Sequence, residues 1–128
     1  NHAWGAAPAN IIPRYVVGVR ALEAGFAKMI IAPQSSSLRS VEALVPTIRG
    51  GVSVTIRNTE QSYTLTLDIP ANSSAEVSLP AVGTLPSDAT LRINGRKCKM
   101  RILPNNRIDC GTLGSGKWHI ELDYGSKL

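Results

Sequence analysis

From Lys28 onward the chain alternates apolar and polar residues in short runs, broken by proline, glycine and asparagine. Lys28–Pro33 reads as a strand closed by proline, and Arg39–Ile48 sets Val41, Ala43 and Val45 on one face. Gly51–Arg57 places Val52, Val54 and Ile56 inward. Ser62–Ile69 does the same with Tyr63, Leu65, Leu67 and Ile69, leaving threonines outside. Ala75, Val77 and Leu79 are the inward set of the next run, which stops at Pro80; a polar loop then leads to Asp88. Leu91 and Ile93 point in, as do Cys98, Met100 and Ile102, with Lys97, Lys99 and Arg101 outside. Ile108 and Cys110 follow, and Trp118, Ile120, Leu122 and Tyr124 form the last inward face. A period of two marks strands buried on one side. About eight or nine such strands, with turns roughly every 8–12 residues, predict an antiparallel β-sandwich of jelly-roll-like type.

The turn residues predict local pairings. Gly50-Gly51 marks a two-residue hairpin that would pair Thr47 with Val54 and Val45 with Ile56. Asn94-Gly95 marks a second hairpin. Pro104-Asn105-Asn106 suits a three-residue loop with asparagine in the left-handed position. That loop would set Ile102 opposite Ile108 and Met100 opposite Cys110, leaving Cys98 diagonal to Cys110. Gly111–Gly116 reads as a long glycine-rich loop.

The first seventeen residues differ from the rest. Trp4, Pro8, Ile11 and Tyr15 form one stripe at helical spacing, and Ile12, Val16 and Val19 form another. A helix apolar nearly all round is buried between two layers. The sandwich is therefore expected to be preceded by one N-terminal α-helix, with Gly18 past its end and Pro13 either kinking it or starting it. No capping sequence stands ahead of Asn1, so the chain is expected to begin inside a helix. Part of Trp4, Ile11, Ile12, Tyr15 and Val16 is expected to face solvent or a second copy of the chain.

Composition narrows the functional classes. The chain has 128 residues, 43% hydrophobic and 18% charged, which suits one domain with a real core. Lys and Arg number 14 against 9 Asp and Glu, a net charge of +5. The basic residues are scattered, whereas a nucleic-acid footprint gathers them on one element, so no nucleic-acid partner is expected. The densest group is Arg96, Lys97, Lys99 and Arg101. No apolar run approaches the ~18 residues of a membrane span.

The residues that could carry chemistry are few. Gly111–Lys117 almost spells a phosphate-binding loop. However, Trp118 stands where a Ser or Thr should reach magnesium, and an alternating strand follows where a helix should. Cys98 and Cys110 match no zinc spacing and read as two buried thiols. His119 and Glu121 share the solvent face of one strand and do not point to a metal site. Asn72-Ser73-Ser74 is formally a glycosylation acceptor, yet its context is a strand-connecting turn. No two carboxylates stand out as the facing pair that glycoside hydrolysis needs. No catalytic residue, cofactor or metal is therefore expected. His2, at the entry to the helix, is either a frayed terminus or one wall of a pocket whose other walls lie outside this chain.

Asn1-His2-Ala3-Trp4-Gly5 and Pro13–Val19 resemble the last helix of the (α/α)6 catalytic barrel of bacterial α-L-rhamnosidases. Gly25–Gln34 resembles that family's crossing into its C-terminal β-sandwich, and Gly51–Val54 and Ile69–Pro80 match two further signatures of the sandwich. Residues 81–128 match in style only. The resemblance implies two units: 1–20 as the terminal helix of a barrel, and 21–128 as the sandwich. It implies that inverting hydrolysis of terminal L-rhamnose uses carboxylates upstream of this stretch, and that His2 is a substrate-binding residue only in the full enzyme. The chain would be a non-catalytic accessory domain of a periplasmic or secreted enzyme. Its partners would be the barrel, a second copy through the helix, and rhamnose-containing glycans by way of the parent. Two alternatives remain: a free-standing carbohydrate-binding or adhesion sandwich, and an anion-binding module using Arg96–Arg101.

Overall fold

A computed structural model describes residues 17–34, 39–81 and 85–125. The strands are β1 (Val19–Ala21), β2 (Lys28–Ile31), β3 (Ser40–Thr47), β4 (Gly50–Asn58), β5 (Ser62–Ile69), β6 (Ser74–Pro80), β7 (Thr90–Ile93), β8 (Arg96–Cys98), β9 (Arg107–Leu113) and β10 (Gly116–Asp123). They form a four-stranded sheet, β1-β2-β6-β9, and a six-stranded sheet, β3-β4-β5-β10-β7-β8. The inner faces meet in one core, with Met29, Ile31, Val77, Leu79 and Ile108 from the first sheet and Val54, Leu65, Leu67, Ile120 and Leu122 from the second. The protein is thus mainly β, and the inward sets expected on β4, β5 and β6 are the buried ones.

The expected N-terminal helix lies outside the described residues, apart from Val17, which is fully buried. Among the described residues the one helical element is a 3₁₀ turn, Ala24–Phe26. The sheets also depart from the purely antiparallel expectation, because β2 and β6 pair in parallel. The chain between them passes through β3, β4 and β5 of the other sheet, a connection long enough to return in the same direction.

The β3–β4 hairpin turns at Ile48-Arg49, not at Gly50-Gly51. Thr47 pairs with Gly50, Val45 with Val52 and Ala43 with Val54. The two glycines open β4 instead. A Cβ on Gly51 would lie 2.6 Å from Cδ1 of Leu44, so the missing side chain makes room for Leu44 across the strand. The Thr47 hydroxyl closes the turn, donating to the Gly50 carbonyl at 2.7 Å and accepting from the Arg49 amide at 3.1 Å. The register differs from the expected one by an even number of residues, so the buried faces are unchanged.

Two further corrections concern β8 and β9. The strand expected to run through Ile102 ends at Cys98, and residues 99–101 carry the chain from one sheet to the other. Ile102 then forms an isolated bridge with Ile108 at the open edge beyond β9, where it is 55% exposed rather than buried. The expected glycine-rich loop is mostly strand, since β9 continues to Leu113 and only Gly114-Ser115 turn. A bulge makes this possible. Val77 pairs with Gly111 and Ser78 with Asp109, leaving Cys110 as the extra residue. The Asp109 carboxylate accepts from the Gly111 amide at 2.8 Å, and the alternation resumes one residue later with Leu113 buried. The Asn94-Gly95 turn, with both residues at positive φ, and the left-handed Asn106 form as expected.

Gly18 (φ +71) fixes the start of the described sandwich. A Cβ there would overlap the Ala32 carbonyl oxygen, and the Gly18 carbonyl accepts from the Ala32 amide at 3.0 Å. Gly18→Ala is expected to cost about 2 kcal/mol or more, since a left-handed L-residue alone costs roughly 1–2. Gly95→Asn, into open space in a conformation asparagine accepts, should cost less than about 0.5 kcal/mol. Urea unfolding at constant m-value reads both.

Candidate functional site

The connections gather at two ends of the sandwich. One end holds the 3₁₀ turn and the turns at residues 48–49, 70–73 and 114–115. Arg49 draws them together, its Nε donating to the Gly25 carbonyl at 3.0 Å and its Nη1 to the Asn72 carbonyl at 3.1 Å. This is a structural clasp of exposed main-chain acceptors.

The other end is organised by Arg107, the first residue of β9. Its Nε donates to the Ser78 hydroxyl at 2.7 Å; its Nη2 donates to the Pro33 carbonyl at 2.7 Å and the Ser78 carbonyl at 3.0 Å. One guanidinium thus ties β6, β9 and the segment after β2. Burial draws its pKa below the ordinary value, yet it stays a cation at neutral pH. Beside it, Asn106 donates from Nδ2 to the Ala81 carbonyl at 3.1 Å, and the Ala81 amide donates to the Asn106 carbonyl at 3.3 Å. Together with Gln34, Pro80 and Asn105, these residues line an open pocket of about 370 Å³.

His2 lies outside the described residues. The expected hairpin forms at its tip, where Ile102 bridges Ile108, but does not reach the cysteines: Cys98 ends β8 in one sheet, Cys110 bulges from β9 in the other, and both are free thiols. Gly114-Ser115 joins two strands, in keeping with the rejection of a phosphate loop. Asn72 sits at φ 60 in an exposed turn, as read. His119 is exposed, its Nδ1 3.1 Å from the Thr66 hydroxyl. Among the described residues no group of three or more His, Cys, Asp or Glu could hold a metal ion. No helix among them is long and apolar enough to cross a membrane.

The acidic residues are placed as a sheet places them. Glu42 pairs with Thr55, Asp68 with Ser53 and Lys117, and Asp109 with Ser78. Glu76 pairs with Thr112 and Ile30, Glu121 with Thr64 and Arg92, and Asp123 with Ser62 and Thr90. No paired position sets a carboxylate against another, which is the arrangement that stabilises a ladder. Three aromatic side chains among the described residues are also committed to structure. Tyr63 is buried and Trp118 and Tyr124 pack against the core, with the Trp118 indole donating to Gly114 O at 2.9 Å and the Tyr124 hydroxyl to Asn58 at 2.9 Å. Arg107 was not singled out from sequence. It looks like one more scattered cation until the β6–β9 register puts it beside Ser78.

The described residues thus form an open-edged two-sheet sandwich whose strand carboxylates lie opposite neutral or basic residues. The profile of the bacterial alpha-L-rhamnosidase C-terminal domain matches residues 18–91. The chain belongs to that family, as one of its non-catalytic accessory domains. Among solved structures, it is similar to the alpha-L-rhamnosidase from Dictyoglumus thermophilum, at TM-score 0.73 and 24% identity, over 86% of this chain and 12% of that one. It is also similar to Streptomyces avermitilis alpha-L-rhamnosidase complexed with L-rhamnose, at TM-score 0.69 and 21% identity, over 86% of this chain and 10% of that one. The chain thus spans about a tenth of the length of these structures. No curated protein matches it.

Burial, with smaller contributions from Asp109 and Cys98, pushes the Cys110 thiol from 9.0 up to about 12. A thiol raised on folding stabilises below its unfolded pKa, and that stability is lost as pH rises through the folded value. Unfolding free energy is therefore expected to fall above about pH 9, by at most ~1.4 kcal/mol per unit from this group. Cys110→Ala should flatten the slope between about pH 9 and 10, read by urea unfolding at each pH.

Proposed function

We propose that this chain caps the catalytic barrel of an α-L-rhamnosidase-type glycoside hydrolase. The observation that carries the proposal is the family match over 18–91, which spans the strands from β1 into β7. On this reading residues 1–20 are the terminal helix of an (α/α)6 barrel and 21–128 a jelly-roll-like sandwich, with β1 at the join. The barrel covers the second apolar face of the helix and supplies the acid and base for inverting hydrolysis. His2 contributes one contact to the sugar from the barrel's final loop. Rhamnose-containing glycans are then ligands of the parent, in a periplasmic or secreted setting.

The test uses both the parent and the isolated chain. The coding region upstream of Asn1 should encode a helical repeat, and the parent should hydrolyse a chromogenic α-L-rhamnoside. The 128-residue chain alone should show no turnover. His2→Ala in the parent should raise KM about tenfold or more, the value of one lost hydrogen bond at a sugar. An upstream frame lacking that repeat, or hydrolysis by the isolated chain, would sink the proposal.

A further inference from the structure

Among the described residues Arg107 is held by neutral acceptors: one hydroxyl and two carbonyls, reached through Nε and Nη2. Both N–H groups of Nη1 are left without a hydrogen-bond partner among the described residues. The chain's 9 carboxylate side chains all fall among the described residues. The two ion pairs there use Glu23 with Lys28 and Asp109 with Arg101, not Arg107. A half-buried cation is ordinarily stabilised by a carboxylate at close range. Here no acidic side chain of the chain supplies one, and the cation lines an open pocket.

The rest of the lining indicates what would bring the charge. Gln34 and Asn105 make no side-chain hydrogen bonds among the described residues, so each amide offers a donor and an acceptor to a ligand. Pro80 and Ala81 supply a small apolar wall. Free amides with an apolar wall match a ring that carries adjacent hydroxyls on a hydrocarbon frame. A lone guanidinium with two N–H groups to spare matches a single negative charge. A phosphate, by contrast, is usually met by several cations or a helix N-terminus.

We propose that this pocket binds a carboxylate-bearing sugar, a hexuronate, with Nη1 of Arg107 taking the carboxylate and Gln34 and Asn105 the ring hydroxyls. The site is separate from rhamnose hydrolysis and does not rest on the parent being a rhamnosidase.

The test is NMR titration of the full 128-residue chain with glucuronate and galacturonate, against glucose, acetate and inorganic phosphate. At least one uronate should shift the Arg107 Nε–H and the side-chain amides of Gln34 and Asn105 saturably. Glucose and acetate should each bind about tenfold more weakly, since each lacks half of the recognised chemistry. Arg107→Gln should weaken uronate binding at least about tenfold. Because Arg107 also ties strands together, Gln34→Ala and Asn105→Ala serve as variants that leave its three bonds in place. Each should weaken the uronate about threefold or more and leave acetate unchanged. The proposal is overturned if glucose or acetate binds as well as both uronates, or if phosphate binds more tightly. It is also overturned if both amide variants bind uronate normally, or if neither uronate binds at tens of millimolar.

Discussion

Everything in this structure depends on the two sheets turning their apolar faces toward each other. Side chains on a strand alternate strictly, so a slip of one residue would exchange a buried face for an exposed one. In β5 the four inward residues, Tyr63, Leu65, Leu67 and Ile69, are each at most 4% exposed. Each buried side chain of this size contributes roughly 1.5–3 kcal/mol, so a single-residue slip of β5 alone would forfeit several such contributions. The even-numbered difference in the β3–β4 register is tolerated for the same reason. It changes partners but preserves faces.

The bulge at Cys110 is the place where strict alternation is broken without loss. Cys110 is buried as the extra residue, Gly111 turns the backbone at φ +80, and Leu113 returns to the core opposite Ala75. The Asp109 carboxylate holds the Gly111 amide and also approaches Arg101 at 3.6 Å. One polar side chain therefore fixes both the bulge and the passing edge segment. Arg107 plays the corresponding role two residues earlier, where β9 begins. These polar contacts add the specific strand order to a core that hydrophobicity alone would leave less defined.

Most of the sandwich was legible from the period of two, because a half-buried strand writes its burial into alternate positions. The runs through β4, β5, β6 and β10 show this directly. What alternation does not encode is which strand lies beside which. The parallel β2–β6 pair, the break after Cys98 and the bulge at Cys110 all depend on partners distant in sequence. Gly50-Gly51 misled for a related reason. Adjacent glycines usually mark a tight turn, but here Gly51 makes room for Leu44 across the strand. The pocket at Arg107 was illegible because it needs residues 34, 80–81 and 105–107 brought together. The helix expected over the first seventeen residues lies outside the described residues apart from Val17.

The distribution of charge separates structural from recognitive roles. Six strand carboxylates face serine, threonine, isoleucine, lysine or arginine across their ladders, never another acid. Such pairing lowers the energy of a folded sheet and works against acid–base catalysis, which needs two carboxyls in environments that push their pKa values apart. Arg107 reverses the pattern. It is a half-buried charge with no acidic side chain of the chain to match it, held by bonds that leave Nη1 without a partner among the described residues. The same three bonds that tie β6, β9 and the segment after β2 thus hold this cation at the rim of an open pocket.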